Sequence, residues 1–519
     1  MFHLSRILVR ASQIFADRIA VRTQDRTLTY AQLGERVARL AAGLRACSLG
    51  KGDRVAILDR NSLRYLEVNY ACARTGLILI PLNIRLASTE IAAILRQTDC
   101  RLLFVSDAFD AVARDCVSAL PGMQIVTWAE AAPPGAANEY ERLLREASPL
   151  PGALPSDPSE IAQIFFTSGT TGEPKGVCLT SGNLVASAYD SIALLGFERD
   201  DVWLHSAPMF HLVDAFAIWA VSLVGGRHVI APFDAESFAE LVARERITQT
   251  SLPPTLINMI ATRHSRSRVD LSSLRRVSHG GAPMPESVHL RASAFFPCPL
   301  LQAYGITEAS GIVCHQLAGD YRLDGSEQER RRRASVGRPA PSVDLKVLDP
   351  AGAEMPAGEI GELAVAGPRI MAGYWKNPEA TAAMMRGGWY LTGDLGYRDE
   401  QWQIFIADRK KDMIITGGEN VYSAEVESAL TTHPAVLEAA VFGIPSERWG
   451  EEVKAVVVLK EGARAAAEEL MEHCRGRIGS YKIPKTIDIS HQPLPKTGPG
   501  KIAKNLLREP FWKGQARRI

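Results

Sequence analysis

Between residues 161 and 176 the chain reads IAQIFFTSGTTGEPKG, and no other stretch limits its fold and chemistry as tightly. Ile161–Phe166 is short, apolar and β-prone, the pattern of a buried strand. The ten residues that follow, Thr167–Gly176, are rich in Ser, Thr and Gly, with adjacent hydroxyls at Thr170 and Thr171. Gly169, Gly172 and Gly176 permit positive φ, so consecutive backbone N–H groups can turn toward one centre. Such a nest takes an anion, and the hydroxyls beside it, Ser168 included, suit phosphate oxygens or a hard metal ion. The spacing is not GxxxxGK[ST], because Lys175 is followed by Gly176 rather than by a hydroxyl residue.

The rest of the chain fits an α/β protein of more than one domain. At 519 residues it is too long for a single ordinary core. From Thr27 to Asn83 an amphipathic helix (LTYAQLGERVARLAAGLRA) and apolar strands (DRVAIL, GLILIPLN) alternate, which argues for a mostly parallel sheet. A net charge of +1 gives no reason to expect nucleic acid or an anionic membrane as partner. The eight cysteines show neither CxxC nor paired His spacing, so reduced thiols in a cytoplasmic protein fit better than zinc or disulfides. The longest apolar run, around Ala215–Val224, is about half the roughly 20 residues a bilayer span needs. Leu4, Ile7, Leu8, Ala11 and Phe15 share one helical face, the mark of a surface helix and not of a signal peptide.

Further segments carry chemistry. SAPMFHLVDAFAIWA places His211 at the start of an apolar helix, where a lone histidine is more often a satisfied core residue than a functional one. HVIAPFDAESFAEL reads as a strand, an N-cap at Asp234 and a helix. HGGAPMP (279–285), with Gly281, Ala282 and Pro283, offers glycines where backbone can approach a flat ligand. QAYGITE (302–308) sets Tyr304, Gly305, Thr307 and Glu308 at fixed spacing, WYLTGDLGY presents Asp394, and ADRKKD presents Arg409 and Lys411 in a charged run between two strands. Beyond it, GGEN (Gly417, Gly418, Glu419), ERWGE with Trp449, and PKTGPGKIAK with Lys501 lie in about 110 residues that read as a small α+β unit.

In this order, these motifs resemble those of the adenylate-forming superfamily, which includes acyl- and aryl-CoA synthetases, luciferases and peptide-synthetase adenylation domains. The resemblance runs over nearly the whole chain and is closest to the fatty-acid and 4-coumarate CoA ligase branch. It implies a large N-terminal domain of packed, mostly parallel sheets with helices and a β-subdomain, residues 1–407, and a small mobile α+β domain, residues 408–519, hinged near Lys411. It implies ATP, Mg²⁺ and coenzyme A as cofactors. By this likeness Thr167, Ser168, Gly169, Thr170, Thr171, Gly172 and Lys175 cradle phosphates, Tyr304 with Gly305 stacks on adenine beside Gly281–Pro283, and Thr307 holds the α-phosphate. Glu308, with Thr170, ligates the metal. Asp394 takes the ribose hydroxyls, Arg409 reaches ribose and phosphates, His211 borders the carboxylate, and Lys501 is the swinging catalytic ammonium. Gly417, Gly418 and Glu419 line a thioester tunnel; Trp449 is either core or a wall of that path.

The activity implied is adenylation of a carboxylic acid followed by transfer to CoA, with AMP and pyrophosphate released. Loading of a carrier protein is the alternative; an oxidative luciferase-like enzyme and a binding module are weaker ones. The implied acid pocket draws on His211–Asp214, Phe216, Ile257, His279, Gly280, Gly305, Ile306 and Ile312, mostly apolar, and points to a bulky hydrophobic acid. Two roles stand open for Asp214: facing a polar group of the substrate, or pointing outward. The partners are then a small acid and CoA, and a homodimer is compatible with everything above.

Overall fold

A computed structural model describes residues 3–513 apart from 119, 121, 130–137, 153–156, 168–173, 264–268, 282–283, 285, 321–331, 417–418, 447, 476 and 497–500. Of the expected site, Ser168, Gly169, Thr170, Thr171, Gly172, Ala282, Pro283, Gly417 and Gly418 lie outside the described residues.

Runs such as Leu102–Ser106, buried at every position and apolar up to Val105, form strands covered on both faces, the signature of a parallel sheet. Among the described residues these strands build two large sheets of nine and seven strands and two of five. In the nine-stranded sheet, Leu300–Ile306, Arg276–Gly280, Gln249–Leu252, Val202–His205, Arg227–Ile230 and Ile19–Arg22 run parallel. In the seven-stranded one, Ile161–Thr167 pairs parallel with Ile78–Pro81 and antiparallel with Lys175–Thr180. The loop beginning at Ser168 therefore joins the two arms of a hairpin, with Thr167 opposite Lys175. Gly176 sits inside the second arm, where a Cβ would meet Ile164 Cγ2 at 2.9 Å. Close packing, not a positive φ, requires that glycine.

The helix Leu212–Val224, buried on nearly all sides, packs against the helix Ser181–Leu195 and the strands Val202–His205 and Arg227–Ile230. Its capacity to lie there follows from composition: apart from Asp214 and Ser222 it is wholly apolar. No helix among the described residues is long and apolar enough to cross a membrane. The first five-stranded sheet is antiparallel and includes Trp389–Arg398 and Ile404–Arg409. The second carries Ile414–Thr416, Glu419–Val421, Val436–Ser446, Gly450–Leu459 and Thr486–Ser490 around its own hydrophobic core. The result is a large N-terminal α/β part and a smaller C-terminal one.

Three readings of the sequence change. Asp234 does not cap the helix Phe238–Glu245, whose N-cap is Ser237. Its carboxylate instead accepts from the Ser237 backbone N–H at 3.0 Å and hydroxyl at 2.7 Å, closing the turn before the helix. Gly280 does not leave room for a ligand, because a Cβ there would lie 2.5 Å from the Ala303 carbonyl oxygen on the neighbouring strand. At Gly305, though it is exposed, a Cβ would likewise lie 2.4 Å from the Gly311 carbonyl oxygen, so strand packing requires that glycine, whereas Gly281, at φ +80°, opens on free space.

Candidate active site

The strand Leu300–Ile306 ends in a single 3₁₀ turn, Thr307–Ala309, followed by Ser310 in the left-handed region at φ 57°. This turn ends the strand and leaves Tyr304, Thr307 and Glu308 half-buried. The Glu308 carbonyl accepts from Met371 N–H at 2.8 Å, and its carboxylate accepts the Tyr374 hydroxyl at 2.9 Å. The Tyr374 ring also underlies Lys175 Nζ, 5.3 Å from its centroid, so one tyrosine links the exit of the Ser/Thr/Gly loop to Glu308.

Asp394 and Arg409 face each other across the antiparallel pair Trp389–Arg398 and Ile404–Arg409. Asp394 Oδ2 accepts the Tyr304 hydroxyl at 2.6 Å, and Oδ1 lies 3.7 Å from Arg409 Nε. Burial and the neighbouring Asp394 carboxylate hold Tyr304 well above its usual phenol range, so it stays a donor.

Lys501 comes from the far end of the chain. Ile502 bridges to Lys496, and Ala503 N–H donates to the Pro495 carbonyl at 2.7 Å, which fixes the base of the loop that carries it. Burial, then the positive Arg409 and Lys411, draw its ammonium down to about 8 against the opposing pull of Asp394 and Glu308. A cation assembled among cations and carboxylates in this way is poised for a polyanion.

His211 is the N-cap of the helix Leu212–Val224, with its ring 4.6 Å from that of Phe210. Burial, with Arg85 and Lys501 adding repulsion, lowers its imidazole to about 4, so it is neutral at physiological pH. Its buried Nε2 has no hydrogen-bond partner. His279, also buried, has neither ring nitrogen bonded and is pushed down to about 3 by burial.

Asp214 neither meets this site nor points outward. It is fully buried, accepting Trp203 Nε1–H at 3.0 Å and bonding His205 Nδ1 at 2.6 Å. His205 passes the chain to His228 at 2.9 Å, and His228 to Ser222 at 2.9 Å. Phe216 and Ile257 are core residues too, in separate hydrophobic clusters.

Glu419 and Trp449 belong elsewhere on the small part. Thr416 pairs with both Glu419 and Gly450, so the GGEN and ERWGE turns meet at one end of that sheet. Trp449 is 41% exposed, with Arg448 4.6 Å over its ring, which excludes a core role. The sequence reading missed a cavity of about 510 Å³ lined by Arg26, Arg60, Arg64, Arg85, Trp128 and Phe210, with Asp25 and Asp59 also on its wall. Arg64 Nε and Trp128 Nε1 are buried there without partners. Its arginines are scattered in sequence, so no single motif gathers them.

A half-buried carboxylate held by Tyr374, an aspartate shared by Tyr304 and Arg409, and a lysine delivered by a second, smaller unit fit the class of adenylate-forming carboxylic acid–CoA ligases. Residues 8–375 match the model of the AMP-binding enzyme family, and residues 425–501 that of the AMP-binding enzyme C-terminal domain. The chain belongs to the AMP-binding enzyme family. It is 37% identical to a feruloyl-CoA synthase of an Amycolatopsis species over 97% of this chain and 98% of that protein. It is 37% identical to an indoleacetate–CoA ligase of Aromatoleum aromaticum, over 98% of each. A fatty acid–[acyl-carrier-protein] ligase, ScoC, of Streptomyces coeruleorubidus is 35% identical over 96% and 95%. Among solved structures, ATP-bound MatB from Rhodopseudomonas palustris superimposes with a TM-score of 0.89 at 29% identity over 99% of each chain. The apo form of MatB gives 0.79 at the same identity and coverage.

Proposed function

We propose that the chain activates a bulky hydrophobic acid bearing an aromatic ring, as acyl-AMP, and hands it to CoA at the same site in a second orientation of the small domain. The substrate carboxylate attacks the α-phosphorus of ATP, the bond to the β-phosphate oxygen breaks, and pyrophosphate leaves. Lys501 balances charge on the α-phosphate and the entering carboxylate, and Thr307 binds an α-phosphate oxygen. Asp394, oriented by Tyr304, accepts the ribose hydroxyls, and Arg409 reaches toward ribose and phosphate. His211, neutral and with Nε2 unpartnered, offers a hydrogen bond to the carboxylate.

Magnesium suits the oxygen chemistry of Glu308, whose carboxylate is held by Tyr374. With no three His, Cys, Asp or Glu side chains converging among the described residues, such an ion would be carried chiefly by the phosphates, with Glu308 and Thr170 as protein donors. Bound there, it would neutralise triphosphate charge.

The small domain, the residues beyond the hinge at Lys411, then turns, withdrawing Lys501 and bringing the Glu419 and Trp449 turns to the site, while Asp408 and Arg409 stay on the strand Ile404–Arg409 of the large part. The thiol of CoA attacks the acyl carbonyl and AMP departs. The cationic cavity beside Phe210 is where we expect the phosphates of CoA, since guanidinium forks match phosphate. Eight free thiols support a cytoplasmic setting.

The observation that carries this reading is the meeting of Asp394 with the Tyr304 hydroxyl at 2.6 Å and with Arg409 at 3.7 Å, where the charges of Asp394 and Arg409 also act on Lys501. The aromatic preference leans on the feruloyl and indoleacetate relatives, and the 35% identity to ScoC keeps carrier-protein loading as the second reading. The test is pyrophosphate release from Mg·ATP with ferulate, indoleacetate, octanoate and acetate, with and without CoA. Turnover to an aryl-CoA and AMP is expected. Acetate used better than the larger acids overturns the size argument, and adenylation without thioester formation moves carrier loading to first place.

A further inference from the structure

We infer that Asp408 is a latch residue: its carboxylate, fixed on the last strand of the large part, holds the small domain in the orientation that presents Lys501 to the nucleotide. This rests on the two-orientation reading above.

Asp408 lies opposite Leu395 in the ladder between Trp389–Arg398 and Ile404–Arg409, so it belongs with the large part up to the hinge itself. Its side chain faces the other way in function. One carboxylate oxygen accepts Arg409 N–H at 2.7 Å, and the other accepts the backbone N–H of Ser423 in a short hydrogen bond. Ser423 is the first residue of the small domain's helix Ser423–Thr431, whose own N-cap, Tyr422, supplies no side-chain bond. A residue of the large part thus does the capping across the hinge, where a carboxylate meets the positive end of the helix.

The same point reaches the catalytic segment. Lys504, three residues after Lys501, donates to Ser423 Oγ at 2.6 Å and pairs with Glu427 Oε1 at 2.7 Å. Glu427 in turn accepts Val441 N–H at 2.8 Å. Farther along the helix Lys504–Trp512, Arg508 donates to the carbonyl of Lys411 at 3.1 Å and lies 3.6 Å from Asp412. Ser423, Glu427, Lys504 and Arg508 travel together when residues beyond Lys411 rotate; Asp408 does not. Its bond to Ser423 is therefore the contact made in one orientation and lost in the other.

A latch must also release. Burial pushes the carboxyls of Asp408 and Glu427 upward, and Lys504 is the ammonium that opposes this in both. A desolvated carboxylate of this kind gains back hydration on opening, so its net hold is small, as a two-state device needs.

The test uses Asp408→Ala and the isosteric Asp408→Asn in the full chain. Adenylation is read as pyrophosphate release with the best acid of the panel, and the second half-reaction as CoA transfer from the supplied acyl-AMP. Tryptic nicking at Arg409–Lys411 without nucleotide gives a readout independent of substrate. Asp408→Ala is expected to lose about tenfold in adenylation, keep thioester formation within about twofold, and be nicked faster, with Asp408→Asn between it and the wild type. Equal loss in both half-reactions, or no change in either and none in nicking, overturns the latch. Lys501→Ala is the control: loss confined to adenylation upholds the two-orientation reading, whereas equal loss in both halves removes that reading whatever Asp408 does.

Discussion

Asp214 and His205 are joined by a 2.6 Å hydrogen bond in which neither side chain reaches solvent. The bond ties the first turn of the helix Leu212–Val224 to the strand Val202–His205, three residues from His211. Trp203 satisfies the other carboxylate oxygen, and His228, held neutral by burial, continues the chain to Ser222. Every member has a partner, which is the condition under which a buried polar network rigidifies instead of costing stability.

Removing the carboxylate should therefore be expensive. Asp214→Ala leaves Trp203 and His205 with unanswered donors and is expected to cost about 2–5 kcal/mol. Asp214→Asn, keeping one acceptor, should cost less. Urea unfolding followed by tryptophan fluorescence checks this, and a midpoint unchanged in Asp214→Ala would mean that the network contributes nothing.

What the sequence revealed and what it hid divide along physical lines. Motifs that act through local spacing carried the family resemblance: TSGTTGEPKG and YGITE fall within the matched family model, and strands such as Leu102–Ser106 announce themselves by composition. Asp214 was misread because an acid in the first turn of an apolar helix says nothing about which way it faces. Its partners, at 203 and 205 on a strand and at 228 on another, become neighbours only when the sheet forms. Gly176, Gly280 and Gly305 illustrate the same gap. A glycine needed for strand packing and one needed for ligand room look identical until a neighbouring carbonyl is found in the way.

His211 should bind the acid as a neutral imidazole. With its pKa drawn down to about 4 by burial, it does not change charge between pH 5.5 and 8. The KM for the acid should be flat across that range, and His211→Ala should raise it about tenfold, one hydrogen bond's worth, with the KM for ATP changed less than twofold. Initial-rate kinetics in both substrates decide this; a KM that falls steeply below pH 7 would mean that the imidazolium is the binding form.

The arginines of the cavity beside Phe210 should matter only after adenylation. Arg60 and Arg85 are exposed on its rim, and each charge-assisted bond to a phosphate is worth about 1.5–3 kcal/mol. The double substitution Arg60→Ala, Arg85→Ala is expected to raise the KM for CoA by at least about tenfold, more at low salt than at high. Pyrophosphate release in the absence of CoA should be unaffected. An unchanged KM for CoA would move the CoA phosphates away from this cavity.

The sharpest pH prediction concerns Lys501. Its ammonium sits at about 8 because burial and the positive Arg409 and Lys411 outweigh Asp394 and Glu308. The protonated form is the one that stabilises phosphate charge, so adenylation is fully supported below that value and lost as pH rises through it. The profile of kcat/KM for ATP reports groups of the free enzyme and should fall with an apparent pKa near 8, while kcat, measured with the triphosphate bound, should fall at higher pH because the polyanion favours the ammonium. Lys501→Arg carries a charge that does not titrate in this range. It should be slower throughout but flat from pH 7 to 9, and a fall at the same pH in that variant would assign the titration to another group.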